Sequence, residues 1–294
     1  MKIKFLLLPL AIALLSCSKD RIQEEETDSF SPMDEFYNEN KVEEQEFIIT
    51  NEDSTGHITG NQGTEIYVGK DLFMFSDRSD EITFPYSIKL IELYDYDDLI
   101  FNQMPTPHSS GVLNIGGEIR VRAFKNAEEL VLKPTMFYGA KFSSTATETD
   151  MKVFYGNLSG EKFSSWEMAA DASSVSIVDT KYLALIYKMG WVTPAKNTSF
   201  TEKTNITFTI EGSGGENIDL AIVFKDFHGV LIGDNLKISD VPVGTSATII
   251  GMAMDQNGKY RLHKQDVTTS ANMTVKLDLQ IVEKAALLST LDNL

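Results

Sequence analysis

Apolar and polar residues alternate along much of the chain. Met273, Val275, Leu277, Leu279 and Ile281 are interleaved with Thr274, Lys276, Asp278 and Gln280, a period of two that puts one row on each face of an extended strand. Ile206, Phe208 and Ile210 repeat the pattern, as do Ile218, Leu220, Ile222 and Phe224, and as do Ile119, Val121 and Ala123 set against Arg120 and Arg122. Sheets of this kind, with one face left to water, are usually antiparallel. Turn chemistry falls between the rows: Asn257-Gly258 is a hairpin signal, while Gly116-Gly117 and the Gly212–Gly215 run punctuate strand starts. Helical spacing is scarce and strongest from Val282 to Leu291. The pattern predicts an all-β protein of tandem antiparallel β-sandwiches ending in a short helix.

The amino terminus follows another rule. Lys2 and Lys4 precede an apolar run from Phe5 to Leu15, which ends at Leu14-Leu15-Ser16-Cys17. The run is well short of the roughly 20 residues that span a bilayer, so residues 1–16 read as an export signal. Its end has the form of a bacterial lipobox, with Cys17, the sole cysteine, as the acylated residue. Two or more acyl chains, at roughly 0.8 kcal/mol per buried methylene, make such an anchor stable. From residue 18 to 55 there are thirteen acidic residues and three basic ones, so residues 17–46 are expected to form a solvated acidic tether. Two polar stretches, 143–150 and 193–205, then suggest boundaries. The division expected is a first sandwich over 47–142 and a second over 151–294.

Charge narrows the range of partners. The chain has 26 basic against 43 acidic residues, net −17, which argues against nucleic acid, whose phosphates require clustered cations. A lone cysteine leaves no disulfide framework.

Several strings together resemble a family of uncharacterised secreted proteins and lipoproteins of Flavobacteria and other Bacteroidetes: NQGTEI from Asn61, GGEI from Gly116, ELVLKP from Glu129, MKVFYG from Met151, Met189-Gly190-Trp191, and DVPVG from Asp240. The start Ser18-Lys19-Asp20 with Glu24-Glu25-Glu26 also resembles the export signal of surface lipoproteins in that phylum. The resemblance implies an outer-membrane, surface-displayed lipoprotein with no assigned activity. In that family a cysteine, an aspartate and an arginine usually follow Gly190-Trp191. Here Val192-Thr193-Pro194 stands instead, so no role for that segment carries over.

Candidate chemistry is sparse. HExxH, GxSxG, GxxxxGK[ST] and Rossmann glycine signatures are all missing, and His57, His108, His228 and His263 lack zinc-ligand spacing. No cofactor or metal is expected. Asp95, Asp97 and Asp98 form the densest carboxylate group, read as a solvated loop with calcium as the alternative. Trp191 is the candidate platform for a sugar ring. Ser54, in Asp53-Ser54-Thr55, resembles a Bacteroidetes O-glycosylation acceptor. The functional expectation is a non-enzymatic interaction or envelope-structural lipoprotein, held to the bilayer through Cys17 and meeting a protein or glycan at the cell surface. The alternative is a glycan-binding accessory lipoprotein of an uptake system. A third option, a hydrolase without a motif, requires a clustered pair of perturbed carboxylates in a cleft.

Overall fold

In a computed structural model residues 30–51, 57–109, 111–144, 147–160, 162–211 and 216–294 are described. The expected signal peptide, Cys17 and Ser54 lie outside them.

The chain opens with β1 (Phe30–Ser31) and α1 (Asp34–Asn40). A first body then follows: β2 (Gln45–Ile49), β3 (Ile58–Thr59), β4 (Glu65–Tyr67), β5 (Phe73–Met74), β6 (Tyr86–Leu93), α2 (Tyr96–Phe101), β7 (Pro107–His108), β8 (Gly111–Ile115), β9 (Glu118–Lys125), β10 (Glu128–Leu132), β11 (Tyr138–Phe142), β12 (Lys152–Ser159), β13 (Lys162–Met168), β14 (Ser174–Val178), β15 (Lys181–Ile186) and β16 (Gly190–Ser199). The second body holds β17 (Lys203–Ile210), β18 (Asp219–Phe224), β19 (Val230–Gly233), β20 (Lys237–Pro242), β21 (Ser246–Asp255), β22 (Tyr260–Thr268), β23 (Thr274–Leu277) and β24 (Gln280–Val282), closed by α3 (Lys284–Asp292).

Each body is a sandwich. In the first, a ten-stranded sheet with spine β13-β12-β16-β9-β10-β5, extended by β2, β6, β7 and β8, faces a five-stranded sheet ordered β14-β15-β11-β4-β3. The apolar row of β9, Ile119, Val121 and Ala123, enters the core between them with Ile88, Leu90, Tyr138 and Phe142. In the second, a sheet ordered β19-β18-β21-β22-β24, with β1 added to β21, faces the three strands β20-β17-β23. All pairings are antiparallel except β17 with β23. Ile206, Phe208, Leu220, Ile222 and Ile249 fill this second core.

A third apolar layer joins the sandwiches. Ile91, Leu93, Phe154, Trp166 and Trp191 from the outer face of the large sheet meet Ala221, Val223, Ile250 and Met252 of the second body, with α1, α2 and α3 contributing Phe36, Ile100 and Leu287. Backbone bonds cross the seam: Thr106 N–H donates to the Val230 carbonyl at 2.8 Å, and Ile115 N–H to the His228 carbonyl at 2.9 Å. The Tyr96 hydroxyl on α2 donates to the Phe224 and Phe227 carbonyls. The outer face of the large sheet is thus covered, and polar residues on it are not solvated as alternation alone suggests.

Four expectations need correction. Residues 30–46 are not tether: Met33, Phe36 and Tyr37 are buried, an i, i+3, i+4 stripe that leaves Asp34, Glu35 and Glu39 on the outside. Net charge over a long window concealed that stripe. Nor does 143–150 divide the domains, because β11 before it pairs with β15 after it and β9 pairs with β16. The passage between sandwiches falls at 200–202, inside the second polar stretch. The single strand expected over 273–281 is two, since β23 pairs with β17 in one sheet and β24 with β22 in the other. Finally, Asp95, Asp97 and Asp98 begin α2 rather than a loop.

Candidate functional site

A cleft of about 1460 Å³ opens along the seam. Its first wall is the outer face of the large sheet, where Ile91, Arg120, Arg122 and Trp191 stand beside Lys162 and Phe163 at the β12–β13 hairpin. The opposite wall is Asn217, Asp219, Ile232 and Asp234 of the second sandwich, and α1 closes one side with Asp34, Tyr37, Asn38 and Lys41. Large polar-and-apolar clefts at domain seams are where ligands usually bind.

Alternation on β9 builds the first wall. With Ile119 and Val121 turned into the core, Glu118, Arg120 and Arg122 face the seam. Arg122 holds Glu44 through a fork, with Nη2 at 2.6 and 2.8 Å from the two carboxylate oxygens, and so pins the chain that follows α1. The Arg120 guanidinium lies 5.9 Å from the Trp191 ring centre. Trp191 follows Gly190, whose φ of +110° suits glycine. A Cβ at Gly156 would lie 2.8 Å from the Trp191 Cβ and 3.1 Å from the Trp166 ring, so the absent side chain there lets both indoles pack. Trp191 is 7% exposed and belongs to the wall. The open stacking platform expected at this residue is not formed.

On the other wall, burial and the neighbouring Asp34 charge push the Asp219 carboxyl up to about 6, against the hydrogen bond it takes from the Tyr37 hydroxyl. Burial and Asp219 in turn raise Tyr37 well above the usual phenol range. No cation is among the groups acting on Asp219.

Glu118, one step along β9 from Arg120, is fully buried and neither of its oxygens has a hydrogen-bond partner among the described residues. Burial raises its carboxyl well above 4.5 and so favours the protonated form. Glu92, equally buried, is satisfied: its carboxylate accepts from the Gln62 and Thr64 backbone N–H groups at 3.0 and 2.9 Å and from the Gln45 amide at 2.8 Å. A Cβ at Gly60 would collide with that carboxylate at 2.2 Å.

The acidic trio does not form a calcium loop. Asp95 and Asp98 make a reciprocal capping box at the start of α2, and Asp98 also accepts from the Gln62 side chain at 3.1 Å. Asp97, raised by burial and by the charges of Asp98, Asp95 and Asp292, turns instead into a separate pocket of about 410 Å³ beside Tyr94, Tyr96 and His228. Among the described residues no three His, Cys, Asp or Glu side chains come together to hold a metal ion.

Of the candidates named from sequence that lie among the described residues, only Trp191 reaches the cleft. Tyr37, Arg120 and Asp219 were missed. Arg120 was visible as part of a polar row, but the row's being covered depends on a second sandwich distant in sequence. The fold and site define a two-sandwich protein with a mixed-charge cleft at its seam. Comparisons with family models, with curated proteins and with solved structures found no match.

Proposed function

We propose that the chain is an outer-membrane lipoprotein of the Bacteroidetes type, anchored through acylated Cys17 and facing the cell surface, whose body binds a partner in the seam cleft without chemical turnover. The supporting observation is where the cleft lies: Pro32, Met33 and Asp34, within a few residues of where the described chain begins at Phe30, form part of its lining. Occupancy of the cleft and attachment to the membrane therefore share one segment. None of the described helices is long and apolar enough to cross a bilayer; in this reading the acyl chains on Cys17 are the attachment.

Mass spectrometry of the native amino-terminal peptide tests the anchor; an unmodified Cys17 thiol overturns it. A photo-crosslinker placed at Phe163 in intact cells should capture a surface partner, while one at Lys264, on an exposed edge of β22, should not. Equal capture at both positions, or at neither, removes the cleft from the proposal.

The glycan alternative called for an exposed flat aromatic, and Trp191 is not one. A hydrolase reading has one observation in its favour, since Asp219 near 6 beside Asp34 lies in the range a general acid uses. Turnover of chromogenic glycosides or esters by the wild type, lost in Asp219→Asn, replaces binding with catalysis.

A further inference from the structure

The edge of a sheet offers unpaired backbone N–H and C=O groups to any passing strand, and folded proteins blunt their edges with short strands, charges, prolines, bulges or cover. Most edges in this chain follow that rule. β1, β3 and β5 have two residues each and β24 has three. β2 carries Glu46, β23 carries Lys276, and β20 carries Lys237 and Asp240. β7 holds Pro107, and β13 bears Lys162 and Glu167 and meets a register shift at Asn157/Leu158 of β12. β19 is covered, since the Val230 N–H donates to the Thr106 hydroxyl at 2.9 Å and the Val230 carbonyl accepts the Thr106 N–H at 2.8 Å. β14 is the exception. Ser174-Val175-Ser176-Ile177-Val178 has no charge and no proline, ends the five-stranded sheet, and pairs among the described residues with β15 alone.

Val175 and Ile177 stand opposite Ala184 and Tyr182 of β15, which are both buried, so they share the core side of the sheet. Val175 packs against that core. Ile177 is 45% exposed, because the sheet stops where the next strand would cover it. We propose that the strand completing this edge is β14 of a second copy, paired antiparallel about Ser176 so that two five-stranded sheets become one of ten. That register sets Val175 of one copy opposite Ile177 of the other and Ser174 opposite Val178, and a two-fold axis closes it. Charge favours a second copy at this strand. Chains of net −17 repel one another, and β14 lets two of them meet without desolvating a carboxylate. Antiparallel pairing also carries the Val178 end, where Lys181 stands opposite Val178, toward the second copy's Ser174 end, three residues after its Asp171. So short a pairing belongs with the small, transient interfaces. It does not depend on the seam cleft, to which no β14 residue contributes.

Disulfide trapping of the full-length protein in detergent tests the register. Facing Cα atoms of an antiparallel pair lie about 4.5–5.5 Å apart, within disulfide reach, so Ser176→Cys should give a covalent dimer under mild oxidation. Val178→Cys should not, because its two copies would stand about 14 Å apart along the strands, and neither should Ser164→Cys on the exposed edge of β13. The wild type, with Cys17 its sole cysteine, sets the background. Ser174→Cys mixed with Val178→Cys should cross-link again. Adding Ile177→Lys to Ser176→Cys places an inward lysine once in each copy and should slow trapping at least about tenfold, with melting curves confirming the fold. Equal trapping at positions 164, 176 and 178 means collision within micelles and overturns the proposal. No trapping above background overturns it too, as does trapping that Ile177→Lys leaves unchanged. A wild type that stays monomeric in sedimentation yet binds an extended peptide of alternating threonine and valine assigns the edge to another protein's strand and rejects the second copy.

Discussion

Glu118→Gln isolates one buried proton. The side chain sits in the seam with no solvent exposure and, among the described residues, no partner for either oxygen, and its carboxyl titrates well above 4.5 because burial disfavours the charged form. An acid that holds its proton more tightly when folded stabilises the fold fully only below its unfolded value. That contribution is lost as pH rises toward the folded value, at about 1.4 kcal/mol per pH unit. Above its ordinary value the loss accumulates at that slope until the folded value is reached. Glutamine has nearly the same shape and does not titrate, so the variant should gain on the wild type as pH rises from 5 towards 7. Urea unfolding of both proteins at pH 5, 6 and 7 at fixed ionic strength measures the difference, and the other titrating groups cancel because both proteins carry them. A stability difference that stays constant from pH 5 to 7 would refute both the buried position and the protonated state of Glu118.

Phe36→Ala, on the helix that was expected to be tether, should lower stability by about 3–5 kcal/mol, the usual cost of emptying a core aromatic site; a change below 1 kcal/mol in chemical denaturation would return residues 30–46 to the tether. Gly156→Ala should cost about 1–3 kcal/mol by driving a methyl into the two tryptophans, read as a lower melting temperature with reduced near-ultraviolet dichroism from the indoles. Asp219 should titrate near pH 6 in carboxyl-carbon NMR. Because its folded value lies above its ordinary 3.8, Asp219→Asn should gain on the wild type as pH rises from about 4 to 6 and hold that gain above; a midpoint below 4 would place the carboxylate in water.

The strands were legible because alternation is a local property. Ile119, Val121 and Ala123 had to share a face whatever they met, and Asn257-Gly258 makes its hairpin, with Gly258 at φ +75° and the Asp255 carboxylate taking the Asn257 and Lys259 N–H groups. The terminal helix came within two residues of its observed bounds. Less legible was anything set by what lies opposite. In YDYDD the spacing of the carboxylates was plain, but their use as a helix cap depends on the chain turning into α2 after Tyr94. In residues 30–46 the average charge masked three apolar positions at helical spacing.

Sequence alone determined a chain of antiparallel strands with a short last helix, and it raises the expectation of a lipid anchor at Cys17. Only the tertiary structure decided that Glu118, Arg120 and Trp191 share a buried seam. Alternation assigns a side chain to one of two faces; whether that face meets water or another sheet depends on residues a hundred positions away, and no local pattern records that distance.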